Sequence, residues 1–277
     1  MLYYYIMLYY NNQLNYLFMK KLKKLPLILS ILSILSLISF ITPVNADVKV
    51  VTSIKPIHSL ASYLMDGVAK PDLIVDGYAS PHGFSMKPSH AKMLQNADIV
   101  FWVGEGMENF LEKPLSSIAK KAEKIELMEI KGLNVLKFRE RNIFDEHDHD
   151  HGHDDHGKKE DDHDDHAHEG HGHGEFDAHI WLDPINAKAI LNEMVVHLIE
   201  NDPKNEAKYK NNLDKALKDI DKMTIEVMTE LSNSVSSIVF HDAYQYFEKR
   251  FNVKILGAFT VNTDVMPGAE QLAEIRE

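Results

Sequence analysis

VKVVTSIKPIHSLASYLM, residues 48–65, is a segment whose hydrophobic pattern changes period at its centre. Residues 48–54 form a β-branched run that is typical of a strand, and Pro56 then marks the start of a helix. Over residues 57–65 the apolar side chains recur at helical spacing, and Gly67 closes the helix. The segment therefore predicts a strand that leads directly into a helix.

The same alternation continues to about residue 128. The pattern predicts strands at 72–75, 98–103 and 125–128, a loop at 77–85, and helices at 88–96 and 107–121, the last interrupted by Pro114. Repeated alternation implies a mostly parallel sheet with helices on both faces. Ligands of such sheets bind in the loops at the carboxyl ends of the strands, so functional residues are expected there.

The second half of the chain is more helical. A helix is predicted at 186–199, and apolar residues three or four apart after Pro203 predict another of roughly 29 residues, about 44 Å long. Strands at 237–240 and 253–256 then alternate with helices starting at Ala243 and Pro267. Because two strands do not make an independent parallel lobe, we expect an incomplete second lobe.

An acidic, histidine-rich tract, DEHDHDHGHDDHGKKEDDHDDHAHEGHGHGE, occupies residues 145–175. It holds ten of the sixteen histidines and thirteen acidic residues against two lysines, and no apolar residue larger than Ala167, so it predicts a disordered loop. An acidic linker alone would not explain the histidines, whereas imidazoles and carboxylates together indicate weak metal sites. The candidate ligands are His147, His149, His151, His153, His156, His163, His166, His168, His171 and His173.

The first 46 residues predict an upstream extension followed by a signal peptide. Four lysines within 20–24 precede an apolar run at 25–41, and small residues before Asp47 predict cleavage after Ala46, with Met19 as the natural start. An uncleaved membrane anchor is the alternative. Cleavage would release a soluble protein.

The composition excludes several classes of function. The chain has no cysteine, which excludes zinc–thiolate sites, disulfides and thiol catalysis. Its net charge of −12 argues against nucleic acid as a partner.

Three histidines lie in the loops where ligands are expected. His82 follows the second predicted strand, His179 lies in FDAHIWLDP directly after the tract, and His241 ends the strand at 237–240. Their separations of 97 and 62 residues match no local metal motif such as HExxH. Each alone reads as an ordinary polar residue, and a joint site requires the fold to bring them together.

The chain resembles the periplasmic zinc-binding proteins of bacterial ABC importers, the ZnuA-like branch of the cluster A-I family. The resemblance runs from about Asp47 to the last residue and rests on GYASPHGFSMKPSHAKMLQNADIVFWVGEGME, the tract, AHIWLDP and VFHDAYQYFEKRF. It implies an α/β, two-lobed metal-binding fold with parallel sheets and helices on both faces. The expected parts are an N-terminal lobe at 47–202, a stiff linking helix at 203–232 and an incomplete C-terminal lobe at 233–277.

The resemblance also implies that His82, His179 and His241 bind one Zn²⁺, the transported ligand, between the lobes, and that the tract gathers or senses zinc. Some relatives carry an acidic fourth ligand just before the first histidine, where this chain has Pro81. The fourth position is therefore water, an unidentified residue or His58. Asp242 and Asp183 are candidates for orienting the imidazoles, with Asp242 also a possible ligand. His90 and His197 read as packing or surface residues.

The implied function is the high-affinity zinc-binding component of an ABC-type uptake system, which captures Zn²⁺ in the periplasm and delivers it to the membrane permease and its ATPase. A monomer without enzyme activity is expected. Three neutral imidazoles favour zinc over manganese, which prefers oxygen ligands. The alternatives are a zinc buffer or storage protein acting through the tract, and a zinc hydrolase, which lacks an evident general base.

Overall fold

Parallel strands joined by crossover helices form the described part of this chain, for which we analysed a computed structural model. The described residues are 47–139, 175–233 and 236–260. The leader predicted at 1–46, the tract up to residue 174 and the helix predicted from Pro267 lie outside these ranges, and the lobe boundaries stay predictions. None of the helices in the three ranges is long and apolar enough to cross a membrane.

The first sheet has four parallel strands in the order β2-β1-β3-β4. Its strands are β1 (Val50–Thr52), β2 (Asp72–Leu73), β3 (Ile99–Trp102) and β4 (Glu123–Glu126). The central strands β1 and β3 are buried on both faces, which explains why their sequences are continuous apolar runs rather than alternating ones. The strand–helix alternation predicted for residues 48–128 is therefore present.

The described ranges contain seven helices. They are α1 (Lys55–Leu64), α2 (Pro88–Asn96), α3 (Glu105–Glu108), α4 (Glu112–Ser117), α5 (Pro184–Asn201), α6 (Glu206–Glu230) and α7 (Gln245–Phe251), with short 3-10 turns at Asn109–Leu111, Leu127–Glu129, Ile180–Leu182, Pro203–Asn205 and Leu231–Asn233. The prediction of one helix at 107–121 broken at Pro114 was wrong. The break falls at Asn109–Leu111, because Pro114 lies in the first turn of α4, where a helix needs no backbone donor.

The long helix α6 has 25 residues, about 37 Å, and is shorter than predicted because Pro203–Asn205 forms a separate 3-10 turn. Its first half packs on the first sheet's helices. Tyr209 is fully buried there, and the side chain of Asn212 donates to the carbonyl of Leu64 at 2.8 Å. Its last turns expose Ile225, so the helix leaves this core and leads towards the second sheet.

The second sheet pairs β5 (Ser237–His241) with β6 (Ile255–Thr260) in parallel, and α7 connects them. The strand predicted at 253–256 begins two residues later and continues to Thr260. Ile255 and Ala258 are buried, whereas the side chain of Phe240 is 67% exposed. Parallel pairing places the end of β5, and with it His241, at the same edge of the sheet as the end of β6.

The turn after β3 contains a buried carboxylate. Glu108 is fully buried, and its carboxylate accepts hydrogen bonds from the backbone N–H groups of Val103 and Gly104, both at 3.1 Å. Gly104 has φ 152°, and a Cβ there would lie 2.7 Å from Oε1 of Glu126, so this position requires glycine. Burial, partly opposed by these hydrogen bonds, raises the pKa of Glu108 to about 7.

Replacing Glu108 by Gln should therefore change how stability depends on pH. Because the folded state raises this pKa, the contribution of Glu108 is full below its unfolded pKa of roughly 4.5 and is lost as pH rises through about 7. We expect Glu108→Gln to be more stable than wild type at pH 8, by on the order of 2 kcal/mol, and to show little advantage at pH 4.5. Denaturant unfolding of the metal-free protein at both pH values measures this.

The control is Glu112→Gln, which changes an exposed carboxylate on the neighbouring helix. It should behave like wild type at both pH values. A Glu108→Gln effect of equal size at pH 4.5 and pH 8 would contradict the assignment.

Candidate metal centre

Three histidines that are far apart in sequence come together in the structure. His82 lies in the loop after β2, His179 immediately precedes the Ile180–Leu182 turn, and His241 is the last residue of β5. Their ring centroids are 5.1 to 5.7 Å apart, and each ring offers a nitrogen within 4.8 Å of the other two. The structure thus brings together the three loop histidines singled out in the sequence.

Local backbone features present each ring. Gly77 has φ 72° and turns the chain into the loop that carries His82, whose N–H donates to the hydroxyl of Ser80 at 3.3 Å. His241 is held because the next N–H, that of Asp242, donates to the carbonyl of Thr260 at 3.1 Å. The segments that carry His82 and His241 are therefore each held by a local hydrogen bond.

The spacing of the ring nitrogens suits zinc. Nε2 of His179 and Nε2 of His241 are 3.3 Å apart. In a tetrahedral site with Zn–N bonds of about 2.0–2.1 Å, two nitrogens lie roughly 3.3 Å from each other. The two rings therefore already have the separation that a shared zinc ion requires.

Asp177 orients His179. Oδ1 of Asp177 lies 2.7 Å from Nδ1 of His179 and also accepts the His179 backbone N–H at 3.0 Å. Because an ionised carboxylate only accepts, the proton is on Nδ1 and the lone pair on Nε2, which faces His241. The sequence analysis missed Asp177, although an Asp two residues before a candidate ligand is a spacing typical of Asx turns.

The environment keeps His241 neutral. Burial is the main cause and the neighbouring His179 and His82 add to it, and together they lower the pKa of His241 to about 4. The ring therefore offers a lone pair to a metal ion at neutral pH.

The two carboxylates predicted to orient the imidazoles, Asp242 and Asp183, make their hydrogen bonds to groups other than the three rings. Asp242 is 2% exposed, and its Oδ1 accepts a hydrogen bond from Nη1 of Arg139 at 3.3 Å. Nη2 of the same arginine donates to Glu248 at 2.8 Å. Burial raises the pKa of Asp242 to about 6, and Arg139 opposes that rise. Asp183 caps α5 by accepting the N–H of Ile185 and also binds Arg250 of α7, so it holds these helices rather than an imidazole.

The structure does not bring His58 into the group. Its Nε2 lies 3.1 Å from the carbonyl of Pro71, and its Nδ1 lies 3.4 Å from the hydroxyl of Ser62. His90 caps α2 by accepting the N–H of Lys87 at 3.1 Å. The ten tract histidines lie outside the described residues.

A second group of potential ligands surrounds His197. Its Nδ1 lies 2.8 Å from Oε1 of Glu123 and its Nε2 lies 3.2 Å from Oε1 of Glu193, with Glu200 nearby. Both ring nitrogens thus face carboxylates, and these polar contacts tie β4 to α5.

A cavity of about 290 Å³ adjoins the three histidines. It is lined by Ile54, Lys55, Pro56, Val75, Gly77, Ala79, Ser80, Pro81, His82, Met107, His179, Trp181 and His241. Among the described residues, no Asp or Glu side chain lines it. The ring of Trp181 packs edge-on against His179 with centroids 5.3 Å apart, which restricts the orientation of that imidazole.

A parallel α/β fold in which histidines from two sheets meet at one cavity defines a metal-binding protein of the two-lobed kind. The profile of the family described as "Zinc-uptake complex component A periplasmic" matches residues 50–277, and the chain belongs to this family. The predicted family is therefore confirmed.

Individual relatives agree with this assignment. The chain is 44% identical over 240 residues to the high-affinity zinc uptake system protein ZnuA of Brucella abortus (strain 2308), covering 82% of this chain and 72% of the relative. It is 36% identical over 233 residues to the ZnuA of Yersinia pestis, covering 83% and 71%.

Solved structures share the fold. A crystal structure of ZnuA matches with a TM-score of 0.64 at 20% identity, covering 83% of this chain and 76% of that one. The Zn(II)-bound ZnuA-like domain of Streptococcus pneumoniae AdcA matches with a TM-score of 0.59 at 19% identity, covering 83% and 73%. These matches confirm the α/β fold class with its long connecting helix.

Replacing Asp177 by Asn should weaken zinc binding by about 10- to 100-fold, because the amide is a poorer partner for Nδ1–H and no longer fixes the tautomer. Competition with a chelator measures the affinity. Asp202→Asn is the matched control, since Asp202 is 5% exposed and accepts the hydroxyl of Tyr209 instead of an imidazole. Equal losses in the two variants would contradict the role given to Asp177.

Proposed function

We propose that this chain is the high-affinity zinc-binding component of an ABC-type zinc uptake system. The observation that carries the proposal is the convergence of His82, His179 and His241, whose ligating nitrogens lie within 4.8 Å of one another. The names of the relatives, high-affinity zinc uptake system proteins, support the same function.

Zinc is the ion that this donor set fits best. Imidazole is a borderline ligand that suits Zn²⁺, whereas manganese prefers oxygen. The 3.3 Å separation between Nε2 of His179 and Nε2 of His241 supports tetrahedral coordination. Among the described residues, no other His, Asp or Glu joins this group, which leaves the fourth position to water or to a residue outside the described ranges.

The chemistry supported by the cavity is binding and release rather than turnover. A zinc hydrolase needs a general base near the metal-bound water. Asp177 is engaged by His179 and Asp242 by Arg139, and neither carboxylate lines the cavity. We therefore propose that Zn²⁺ is cargo, captured in the periplasm and passed to a membrane permease driven by its ATPase.

The three histidines can be tested one at a time. His82→Ala, His179→Ala and His241→Ala should each weaken zinc binding at least about 100-fold, because each removes one of the three protein ligands. The control is His58→Ala, which removes an imidazole bonded to Pro71 and should change the affinity less than about twofold. Chelator competition on the full chain measures all four variants. Wild-type affinity in His241→Ala would overturn the proposal.

The acidic tract should add weak sites without creating the tight one. Wild-type protein is expected to take up more than one zinc ion, and a variant lacking residues 145–175 should take up one with unchanged high affinity. A matched variant that keeps the length of the tract and replaces its ten histidines by serine separates imidazole from carboxylate binding. Calorimetry measures stoichiometry and affinity together. Loss of the high-affinity phase on deletion would place the tight site in the tract.

A further inference from the structure

We propose that helix α7 is a clamp that sets the relative position of His179 and His241, and that Tyr246 and Arg250 are its positioning residues. This inference rests on the proposed function, because it concerns how the same zinc centre is held in shape. Neither residue belongs to the ligand group or lines the cavity.

Tyr246 fastens the beginning of α7 to the segment that carries His179. Its side chain is buried, with 2% exposure. The hydroxyl donates to the carbonyl of Asp177 at 2.6 Å and accepts the backbone N–H of Leu136 at 3.1 Å. Asp177 in turn holds Nδ1 of His179 at 2.7 Å. The Tyr246 hydroxyl therefore binds the backbone of Asp177, the residue whose side chain orients His179.

Arg250 fastens the end of the same helix to Asp183, which lies on the C-terminal side of His179. Its Nε donates to Oδ1 of Asp183 at 2.8 Å and its Nη2 donates to Oδ2 at 2.9 Å. This paired geometry fixes direction as well as distance, because the guanidinium fork matches both carboxylate oxygens. Asp183 follows His179 by four residues and Asp177 precedes it by two. The attachments of α7 thus lie on both sides of His179.

The same helix follows His241 closely, since α7 begins at Gln245. Arg139 links α7 to the end of β5, because it contacts both Glu248 on α7 and Asp242, the residue after His241. The side chain of Gln245 adds a hydrogen bond to the carbonyl of Lys137 at 2.9 Å. A shift of α7 would therefore move His241 relative to His179.

Removing the hydroxyl of Tyr246 should change the geometry of the metal site. The carbonyl of Asp177 and the N–H of Leu136 would each lose a partner in a buried region, and such groups shift to find new ones. The 3.3 Å separation of the two Nε2 atoms would then no longer be enforced. A clamp predicts a loss in metal geometry, whereas a purely structural residue predicts a loss in stability alone.

The test compares Tyr246→Phe with Tyr209→Phe. Tyr209 on α6 is also fully buried, and its hydroxyl donates to Asp202 at 2.8 Å. Loss of this hydroxyl therefore removes a similar hydrogen bond that involves none of the three histidines or Asp177. We expect Tyr246→Phe to weaken zinc binding about tenfold and Tyr209→Phe less than about twofold. The visible spectrum of bound Co²⁺, which reports the coordination geometry, should change in Tyr246→Phe and stay like wild type in Tyr209→Phe.

Arg250 provides a second variant if Tyr246→Phe does not fold. Arg250→Met should weaken zinc binding and alter the Co²⁺ spectrum, and Arg250→Lys should restore these only in part, because lysine keeps the charge but lacks the fork. Restoration to wild type by lysine would show that charge alone matters and would overturn the positioning role.

The outcomes separate this inference from the proposed function. If wild type binds zinc tightly, His241→Ala does not, and Tyr246→Phe and Arg250→Met retain the wild-type affinity and Co²⁺ spectrum, the clamp is wrong and the function stands. Wild-type affinity in His241→Ala would overturn both. Equal losses in Tyr246→Phe and Tyr209→Phe would assign the effect to general destabilisation and would also overturn the clamp.

Discussion

The proposed metal centre depends on one geometric constraint, which is that imidazole nitrogens must lie about 3.3 Å apart to share a tetrahedral zinc ion. His179 and His241 meet this constraint, although 62 residues separate them. The constraint requires each ring to be held in position and in one tautomer. Asp177 does this for His179 through the bond to Nδ1, and burial keeps His241 neutral. Neither ring can be understood without the groups behind it.

The two sheets contribute differently to that constraint. The first has four parallel strands, of which the central two are buried, and its apolar core gives the loops at its edge a rigid base. Helix α7 connects the two described strands of the second sheet. It joins the region around His179 through directional polar contacts, among them the paired hydrogen bonds between Arg250 and Asp183. Hydrogen bonds and paired charges specify distances more sharply than apolar packing, which suits a site that must hold nitrogens at a set spacing.

The tight site and the acidic tract represent two ways of using histidine. In the tight site, burial and orientation give each imidazole one role, which suits a single ion held strongly. In the tract, ten histidines lie among thirteen acidic residues with no apolar side chain to bury, so its sites are expected to be many and weak. The division follows from composition and is compatible with a protein that collects an ion before binding it tightly.

Local patterns were enough to predict much of this protein. The range of α2 and the alternation of strands and helices follow from the period of the apolar residues, and the three histidines follow from their places at strand ends or in loops. The tertiary structure alone decided that His58 bonds to Pro71 and that Arg250 of α7 reaches across to Asp183. These contacts join residues that are 13 and 67 positions apart along the chain, and no local periodicity encodes such pairs.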